Sequence, residues 1–598
     1  MNDNPPSGLA VPWRSPLTNE CTMVIDVNVK GYNATYYKLD SVSILTPVTM
    51  AICGAALAGN FRAGLSAENH IDFYTRRIEL TPPSVDILEK IKTMHDMPKS
   101  RITQDHHMYI TWHELLKGYG TIHSSSKYEP RVRCALAHYL FSRADELDIY
   151  NQISMATHLT YILVAPLFAV QHLAWILATV TGASEYMAKL KAESGAAKQL
   201  QTLFRDDLAQ VYELQVLRNR VYDEVDWEKE MRNREEPNVV PVAYETVYKR
   251  AVSLFAEARR GGARQSRRKW DSYWESRWSS MPVGSVVSQY ENDMKLKKDL
   301  PTDARVKAAW FAANVNREHE YWIRRPPEIY ASTSTKYEWG KVRALYGCDV
   351  TSFLHADFAM SDCESTLPPN FPVGPKANDN YVKSVIEKFS DGVPFCYDFD
   401  DFNAQHSTSS MRAVVDAWGA VFGPDLTDEQ MASLAWTSES IGSQRVKYND
   451  VGVARPINGT LLSGWRLTSF VNTVLNRVYL EEAGISMQTI YALHNGDDVY
   501  ATTPTVRHAV VLAGAAERIG VRAQMSKMNI GTIGEFLRID SRARVKTSAQ
   551  YLARAVSTAV HGRVEIAPAN DLRELERSMS ERYSAIVKRG GDPKPLTA

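Results

Sequence analysis

The 598-residue sequence predicts an α+β fold in which a small antiparallel sheet carries acidic residues and helices pack around it. Three observations lead to this prediction. An Asn-Gly step at 495–496 lies between apolar residues, which is typical of a hairpin. The apolar run 393–397 is followed by helical spacing of apolar residues from 407 to 421, and a second helical pattern begins near Leu467.

The segment 491–500 predicts a hairpin with two acids at its turn. Asn-Gly between apolar runs is the strongest short hairpin signal, so the backbone fixes whatever follows it. Asp497 and Asp498 follow directly. Adjacent carboxylates repel each other, and a divalent cation would offset that repulsion. A polar turn without function has the same composition, so this segment alone does not decide between the two interpretations.

The apolar run 393–397 predicts a short buried strand with Asp398 at its C-terminal end. A loop and the helix 407–421 follow, so the unit is strand, acidic loop, helix. Asp400 and Asp401 lie in the loop. The spacing does not decide which of the three acids binds a metal ion.

Between the two acidic segments, Ser463-Gly464 predicts a flexible turn before a helix. Thr468, Asn472 and Asn476 recur every four residues and therefore share one polar face of that helix. Uncharged donors and acceptors beside a metal site can recognise a ribose hydroxyl through hydrogen bonds, because that hydroxyl both donates and accepts. A helix face that only meets water is the alternative.

These segments resemble, in order and spacing, the palm of viral RNA-dependent RNA polymerases. In that family an Asp has a polar residue five positions on, Ser-Gly is followed by Thr and Asn, and Gly-Asp-Asp comes last. The matching positions are Asp398 with Asn403, Ser463-Gly464 with Thr468 and Asn472, and Gly496-Asp497-Asp498. The stretches 336–344, 401–407, 475–479, 534–539 and 551–556 are most similar to the polymerases of totiviruses, double-stranded RNA viruses of fungi and protozoa.

The resemblance covers about residues 270–565 and implies a right-hand polymerase architecture: fingers, a palm with an antiparallel sheet, and a small helical thumb. We expect an N-terminal extension at 1–110, fingers at 111–390, a palm at 391–540 with a fingers insertion at about 422–460, and a thumb at 541–598. Related enzymes often have larger thumbs. A small thumb would leave the internal channel of the enzyme partly open. Closure of that channel is therefore expected to depend on the N-terminal region or on a capsid partner.

The implied reaction is template-directed nucleotidyl transfer by a two-metal mechanism, for genome replication and transcription. Asp398 and Asp497 would bridge two Mg²⁺ ions and Asp498 would complete the coordination, with Mn²⁺ as a substitute. Lys527 lies where related polymerases place a lysine that protonates the leaving pyrophosphate.

The nucleotide itself needs cations and sugar-reading groups. Lys336, Lys341 and Arg343 are predicted to lie in one strand, at alternating or near-alternating positions, and Lys341 and Arg343 share a face of it. The family resemblance implies that this strand belongs to the fingers. Asn403 stands where many RNA polymerases have Asp, and it can still hydrogen-bond a ribose hydroxyl. The predicted nucleotide-binding residues are Lys336, Lys341, Arg343, Asn403, Ser463, Gly464, Thr468 and Asn472.

The chain has 69 basic and 69 acidic residues, so positive charge for RNA must be concentrated in particular places. The basic stretch 259–269 precedes the aromatic residues Trp270, Tyr273, Trp274 and Trp278, and this combination suits phosphate binding and base stacking. A solvated basic loop beside a packed helix is the alternative. The predicted RNA-binding residues are Arg264, Arg267, Arg268 and, in the stretch 535–539, Arg538.

The family implies an RNA template and product, ribonucleoside triphosphates and a viral capsid protein as partners, in the virion interior and the host cytoplasm. No membrane partner is expected, because the apolar stretch 159–180 contains Pro166, Gln171 and His172 and predicts two buried helices broken near the proline. The six cysteines show no paired spacing and are expected to be reduced thiols.

Two other functions are compatible with an acidic palm. A reverse transcriptase usually has an aromatic residue before its paired Asp and lacks the Ser-Gly, Thr, Asn helix, whereas here His494-Asn495-Gly496 precedes the acids. A catalytically inactive RNA-binding or packaging protein would not need intact acids and fingers cations.

Overall fold

The computed structural model describes the strands at 9–14, 21–29, 32–36 and 107–109, Leu115, and residues 128–597 apart from short gaps. The gaps are 202–206, 221–223, 283, 390, 449–451, 525–526, 532, 541–549, 564–571 and 593. The described strands are β1 (Leu9–Arg14), β2 (Cys21–Val29), β3 (Tyr32–Tyr36), β4 (His107–Tyr109), β5 (Ile329–Glu338), β6 (Lys341–Cys348), β7 (Val393–Asp398), β8 (Gln444–Lys447), β9 (Ala454–Ile457), β10 (Tyr491–Asn495), β11 (Asp498–Thr503), β12 (Asn529–Ile530), β13 (Glu535–Phe536), β14 (Ile539–Asp540) and β15 (His561–Arg563).

Helices make up most of the rest of the described chain. They are α1 (Tyr128–Ser142), α2 (Gln152–Val164), α3 (Leu167–Thr179), α4 (Ala183–Leu200), α5 (Trp227–Glu235), α6 (Tyr244–Arg260), α7 (Trp270–Ser276), α8 (Glu291–Asp299), α9 (Lys307–Ala313), α10 (His319–Ile323), α11 (Val350–Met360), α12 (Asp379–Lys388), α13 (Thr408–Phe422), α14 (Asp428–Ser440), α15 (Thr468–Glu482), α16 (Ile485–Gln488), α17 (Val506–Arg518), α18 (Leu552–Val560), α19 (Leu572–Lys588) and α20 (Lys594–Thr597).

A four-stranded antiparallel sheet, in the order β10-β11-β7-β12, carries the acidic residues. Its strands are apolar on both faces because both faces are covered. Phe395 and Tyr397 face a core shared with α6, α13, α15 and α17, whereas Cys396 faces α12 and the β13–β14 hairpin. The predicted strand at 393–397, the hairpin at 491–500 and the α+β class with an antiparallel sheet are therefore confirmed.

Two helices next to this sheet begin at Thr408 and Thr468, close to the predicted starts at Ser407 and Leu467. Ser407 caps α13 by accepting a hydrogen bond from the Ser410 amide. The helix after Ser463-Gly464 runs from Thr468 to Glu482, and its Phe470 stacks on Phe255 of α6 with ring centroids 5.9 Å apart. This packing fixes α15 over the sheet.

A second four-stranded sheet, in the order β6-β5-β8-β9, is built by two distant parts of the chain. Strands β5 and β6 form a hairpin, and β8 joins it in parallel with Ile329 opposite Gln444. Strands β8 and β9 lie inside the predicted insertion at about 422–460. That segment thus extends the sheet of the β5–β6 hairpin.

Three of the four aromatic residues after the basic stretch belong to the protein interior, whereas Trp278 is 51% exposed. Trp270, Tyr273 and Trp274 are 2%, 0% and 4% exposed and pack in one core with Trp310 and Trp322. Rings without solvent access cannot stack on bases. The expectation that these three aromatics stack bases is therefore wrong.

The two ends of the described helical region share one core. Apolar residues from 115–217 pack with residues from 533–586, with Tyr212 of the first group edge-on to Tyr551 of the second at 5.1 Å. Buried Arg589 also pairs with Asp540 at 3.0 Å. The range 111–390, predicted as one region, thus contributes to several cores, and the C-terminal helices α18 and α19 belong to a unit larger than residues 541–598.

Within this shared core, α2 and α3 are separated at Ala165-Pro166, which confirms the predicted break. Among the described residues, no helix combines the length and the apolar character that crossing a bilayer requires. No disulfide joins the described cysteines, and Cys348, Cys363 and Cys396 are buried.

The described parts of residues 1–110 are all strands. Strands β1, β2 and β3 form an antiparallel sheet, and β4 pairs with β15, so that Tyr109 lies opposite His561. Strand β1 contacts α17 and strand β3 contacts α4. The other residues of the predicted N-terminal extension lie outside the described residues.

Candidate active site

Asp398 and Asp498 are direct cross-strand partners in the central sheet. Asp398 ends β7, Asp498 begins β11, and the antiparallel register places the two residues opposite each other. Side chains directly opposite in such a pair have Cβ atoms about 4.5–5.5 Å apart and point to the same face. Two acids that are 100 positions apart in sequence therefore converge, as the motifs predict.

Asp497 lies at the tip of the hairpin next to this pair. Gly496 and Asp497 form a two-residue turn between β10 and β11, and Gly496 has a φ of +58°, which glycine adopts without steric cost. The Asp497 side chain is exposed. Asp400 and Asp401 are exposed as well, but β7 ends before them, so the register does not pair either of them with Asp498.

The grouping of acids changes their proton affinities. The Asp498 side chain is exposed to solvent, but the protein around it desolvates its carboxyl group. This desolvation, followed by repulsion from Asp497 and Asp398, raises the pKa of Asp498 to about 7. Burial also raises the pKa of Asp398, although Lys527 opposes this with its Nζ atom 3.1 Å from Asp398 Oδ1. A single lysine does not balance this negative charge.

We expect the cation-free protein to lose stability as the pH rises from about 4 to about 7. The folded-state pKa of Asp498 lies above its ordinary value of 3.8, so the stabilisation from protonation is complete below that value and is lost as the pH rises through about 7. Asp498→Asn removes this titration. Melting temperatures in EDTA should favour the variant over wild type at pH 8 but not at pH 5. An equal difference at both pH values would contradict the assignment.

Helix α15 fixes the acidic hairpin through hydrogen bonds to its turn. Asn476 Nδ2 donates to the carbonyl oxygens of Gly496 and Asp498 at 3.0 and 3.3 Å, and the Thr473 hydroxyl accepts from the Gly496 amide at 2.8 Å. His494 Nδ1 lies 2.9 Å from Asn476 Oδ1. Asn476 was predicted on the polar face of this helix, and its side chain hydrogen-bonds the backbone of the turn. Thr473 was missed, because its contact depends on the docking of helix and hairpin.

The Ser463-Gly464 turn is packed against the β5–β6 hairpin. Ser463 Oγ accepts from the Tyr346 amide of β6 at 3.2 Å, and a Cβ on Gly464 would lie 2.1 Å from the Tyr346 carbonyl oxygen. Only glycine fits this approach. The Thr468 hydroxyl donates to the carbonyl oxygens of Leu462 and Trp465, so it stabilises the turn.

Asn403 and Asn472 meet as the motif spacing predicts. Asn472 Nδ2 donates to Asn403 Oδ1 at 2.7 Å. Asn403 lies in a short 3₁₀ turn after the acidic loop, and its carbonyl oxygen accepts from the Leu461 amide at 2.9 Å. The contact joins the loop after β7 to helix α15, within one helical turn of Asn476.

The three predicted cations of the fingers lie on one face of the β5–β6 hairpin. Lys336 of β5 is opposite Arg343, and Glu338 is opposite Lys341. They are therefore on two strands, where the sequence suggested one. Lys341 also lowers the pKa of Asp398 through space, so this face is near the acids.

Glu338 is a member of this group that sequence reasoning missed. Its carboxylate pairs with Lys336 at 3.0 Å, Arg343 at 3.2 Å and Lys341 at 3.6 Å. Partial burial works against ionisation, but these cations lower the pKa of Glu338, and Arg343 contributes most. Its alternation with Lys336 along one strand was the signal available in the sequence.

The tip of this hairpin reaches the core shared by the two ends of the chain. Gly340, with a φ of +71°, donates its amide to the Asn219 carbonyl oxygen at 2.8 Å. Two guanidinium groups contact the Trp339 ring, Arg220 at 4.9 Å and Arg554 at 5.4 Å from its centroid. The hairpin is thus held at both ends, by the Ser-Gly turn and by this unit.

The predicted RNA-binding arginines lie in two places. Arg264 and Arg267 are exposed in the loop between α6 and α7, and Arg268 lies over the Tyr273 ring at 5.7 Å. That loop is fixed to α14, since the Arg268 amide donates to Gln430 Oε1 at 3.0 Å. Arg538 is separate from them and exposed, at the turn of the β13–β14 hairpin with a φ of +68°.

The β13–β14 hairpin also carries an acid. Glu535 pairs with Lys198 of α4 at 2.7 Å and adds to the negative potential at Asp498. Lys198 lies over the rings of Tyr212 and Tyr551. This ion pair connects helix α4 to the vicinity of the acid pair.

The acid set fits a hard divalent cation by its chemistry. Like charges directly opposite in a sheet destabilise it, and carboxylate oxygens are ligands that Mg²⁺ prefers. Within the described ranges, no three acidic, histidine or cysteine side chains lie close enough to hold an ion by themselves. Mg²⁺ in phosphate-processing sites is bound by one or two carboxylates together with substrate phosphates, so an open arrangement agrees with that ion.

Comparison with known proteins agrees with this geometry. A family profile described as viral RNA-directed RNA-polymerase matches residues 89–564. The chain is 39% identical over 597 residues to a probable RNA-directed RNA polymerase of Saccharomyces cerevisiae virus L-BC, covering 98% of this chain and 38% of that protein. It is 36% identical over 483 residues to the corresponding protein of Saccharomyces cerevisiae virus L-A, covering 78% and 31%. The chain thus spans about a third of the length of these relatives.

Among solved structures, the RNA-dependent RNA polymerase of a human picorbirnavirus, as an insertion-loop deletion mutant, matches with a TM-score of 0.37 and 16% identity. The match covers 56% of this chain and 74% of that one. Since the family profile spans most of the sequence and includes every acid of the central sheet, the chain belongs to the viral RNA-directed RNA polymerases.

Proposed function

We propose that the chain catalyses RNA-templated synthesis of RNA, for the replication and transcription of a double-stranded RNA virus genome. The observation that carries the proposal is the pairing of Asp398 with Asp498 across adjacent strands, beside the exposed Asp497. Two facing acids with a third on the adjoining turn are unfavourable unless their charge is neutralised during function. Membership in the polymerase family supports the same activity.

Asp398, Asp497 and Asp498 are the residues that would hold Mg²⁺, or Mn²⁺ in its place. When bound, the ions would neutralise charge on the reacting phosphate oxygens and on the acids. The protein's own part is to hold the three carboxylates on one rigid hairpin and strand, which α15 fixes through Asn476 and Thr473. Preorganisation of this kind accounts for much of the rate in phosphoryl transfer.

The cationic face of the β5–β6 hairpin is proposed to receive the triphosphate. Arg343 can bind phosphate oxygens in a bidentate manner, whereas Lys336 and Lys341 act as point charges. Glu338 keeps the three side chains on one face before a nucleotide arrives. Ser463, Gly464 and Thr468 shape the adjoining turn, while Asn403 and Asn472 read the sugar.

Lys527 is proposed to donate a proton to the departing pyrophosphate. Its contact with Asp398 keeps the ammonium group near the reacting phosphates. Lys527→Gln should lower single-nucleotide incorporation by about 10²-fold, the usual contribution of a general acid. Lys527→Arg retains the charge but does not release a proton in this pH range. Stopped-flow rates for both variants test this role. A fully active arginine variant would show that Lys527 acts through its positive charge and not as a proton donor.

We assign the palm to residues 391–540. We assign the fingers to the β6-β5-β8-β9 sheet and the helices between about 224 and 390, together with the insertion at about 422–460. The shared core of 115–217 and 533–586 is proposed as the thumb side, with residues 1–110 as an extension that joins these units. The contact of Trp339 and Gly340 with residues 219–220 supports closure of the channel by the chain itself. Arg264, Arg267, Arg268 and Arg538 are proposed RNA contacts.

The proposed partners are the RNA template and product, ribonucleoside triphosphates and a viral capsid protein, in the virion interior and the host cytoplasm. The capsid partner and the locations depend on the family resemblance alone. The charge pattern supports the RNA partner, because a chain of net charge zero presents cations at the fingers hairpin and beside the acids.

The proposal is tested by incorporation of labelled nucleotides on single- and double-stranded RNA templates, with and without a primer, in Mg²⁺ or Mn²⁺. Template-dependent incorporation of ribonucleotides is expected. Incorporation restricted to deoxyribonucleotides would identify a reverse transcriptase. Retained RNA binding without any incorporation would identify an inactive packaging protein.

A further inference from the structure

Behind Asn403 lies a buried chain of hydrogen bonds. The Tyr479 hydroxyl of α15 is 3.2 Å from His406 Nδ1, and His406 Nε2 is 2.8 Å from Asn472 Oδ1. Asn472 Nδ2 donates to Asn403 Oδ1 at 2.7 Å. His406 is completely buried, with the Phe402 ring edge-on to it at 4.4 Å. The family motif does not account for His406.

The direction of this chain follows from the donors available. The Tyr479 hydroxyl can donate its proton to His406 Nδ1. Burial lowers the pKa of His406 to about 4, so at neutral pH its ring carries one N–H. With Nδ1 accepting, the proton is on Nε2 and is donated to Asn472 Oδ1. The amide group of Asn472 therefore turns its NH₂ toward Asn403.

Asn403 is the last residue of this hydrogen-bond series, and only its amide NH₂ group is free. Asn403 Oδ1 accepts from Asn472, and in the described part of the protein Asn403 Nδ2 has no hydrogen-bond partner. The side chain is half-buried, so a ligand can reach it. An asparagine whose oxygen faces the protein offers its NH₂ donors to the outside.

We propose that His406 is a positioning residue for sugar selection. Through Asn472 it orients the Asn403 amide so that Nδ2 donates a hydrogen bond to the 2′-oxygen of the incoming ribonucleotide. The inference rests on the proposed polymerase function. It predicts that the 2′ substituent is recognised as an acceptor, so a 2′-fluoro nucleotide, which accepts weakly and cannot donate, should be a better substrate than a 2′-deoxy nucleotide.

The test compares kcat/KM for ribonucleotides, 2′-fluoro nucleotides and deoxynucleotides in wild type, His406→Phe and His406→Gln. The phenylalanine variant removes both ring hydrogen bonds, and its preference for ribose over deoxyribose should fall about tenfold, the effect of one neutral hydrogen bond. Its preference for 2′-fluoro over deoxy should fall as well. Glutamine can accept with Oε1 and donate with Nε2, so it should restore part of both preferences.

Each outcome separates this inference from the proposed function. A wild-type protein that incorporates no nucleotide overturns the polymerase function, and the inference with it. An active wild type with an unchanged ribose preference in His406→Phe overturns the role of His406 alone. If His406→Phe does not fold, Tyr479→Phe serves instead, because it removes only the hydroxyl that fixes the ring tautomer. A reduced preference for 2′-fluoro over deoxy in that variant supports the role, and an unchanged one overturns it.

Discussion

Asp398→Asn is expected to lower nucleotide incorporation by at least about 10³-fold while the protein remains folded and binds RNA. A neutral amide of the same shape keeps the packing of β7 but removes one of the charges that face each other across the sheet. Loss of a single preorganised electrostatic group costs 10²–10³-fold in other enzymes, and a charged group costs more. Extension of a labelled primer by one nucleotide measures the rate, and fluorescence anisotropy measures RNA binding.

Asp400→Asn is the matched control, because it removes an acid from the same loop two positions away. It should retain activity within a few-fold of wild type, since Asp400 lies beyond the end of β7 and lacks a cross-strand acid. Asp398→Asn should also melt higher than wild type in EDTA, because it relieves repulsion between facing acids. Near-normal incorporation in Asp398→Asn, or its loss in Asp400→Asn, would refute the assignment drawn from the register.

Gly464→Ala is expected to have the second largest effect. The added Cβ would lie 2.1 Å from the Tyr346 carbonyl oxygen and 3.1 Å from its carbonyl carbon, both backbone atoms that cannot rotate away. The Ser463 turn must then separate from β6, breaking the hydrogen bond from the Tyr346 amide. We expect a loss of about 3 kcal/mol in the free energy of unfolding and little remaining nucleotide incorporation.

Gly195→Ala is the contrasting control for this substitution. Gly195 lies within helix α4, and a Cβ there meets no atom within 4 Å. Alanine should stabilise the helix by about 0.5–1 kcal/mol and leave incorporation unchanged. Chemical denaturation of both variants checks the contrast. A Gly464→Ala protein as stable and active as wild type would mean that the Ser-Gly turn is not packed against the fingers hairpin.

The sequence predicted the elements whose signals are local. Strand β7, the hairpin at 491–500 and helix α15 follow from apolar spacing and turn residues within short windows. The convergence of Asp398 with the hairpin was predictable only through the family motif, because strand pairing over 100 residues has no local signature. The roles of the predicted nucleotide and RNA contacts stay predictions.

The remaining features depend on packing between distant segments. Glu338 becomes the centre of three ion pairs only when the register of β5 and β6 is known. The Thr468 hydroxyl is occupied by backbone carbonyl groups, which helical spacing could not reveal. The burial of Trp270 depends on helices supplied by residues up to 358, so the sequence showed an aromatic cluster without showing its environment.

The core shared by residues 115–217 and 533–586 has a consequence for biosynthesis. Helices α1 to α4 leave the ribosome more than 300 residues before α18 and α19, which complete their apolar packing. Until then, surfaces buried in the finished enzyme stay open to solvent and to aggregation. Translation that stops short of residue 533 would therefore release a polypeptide with an intact acidic hairpin but an uncovered amino-terminal half, a substrate for chaperones and proteases.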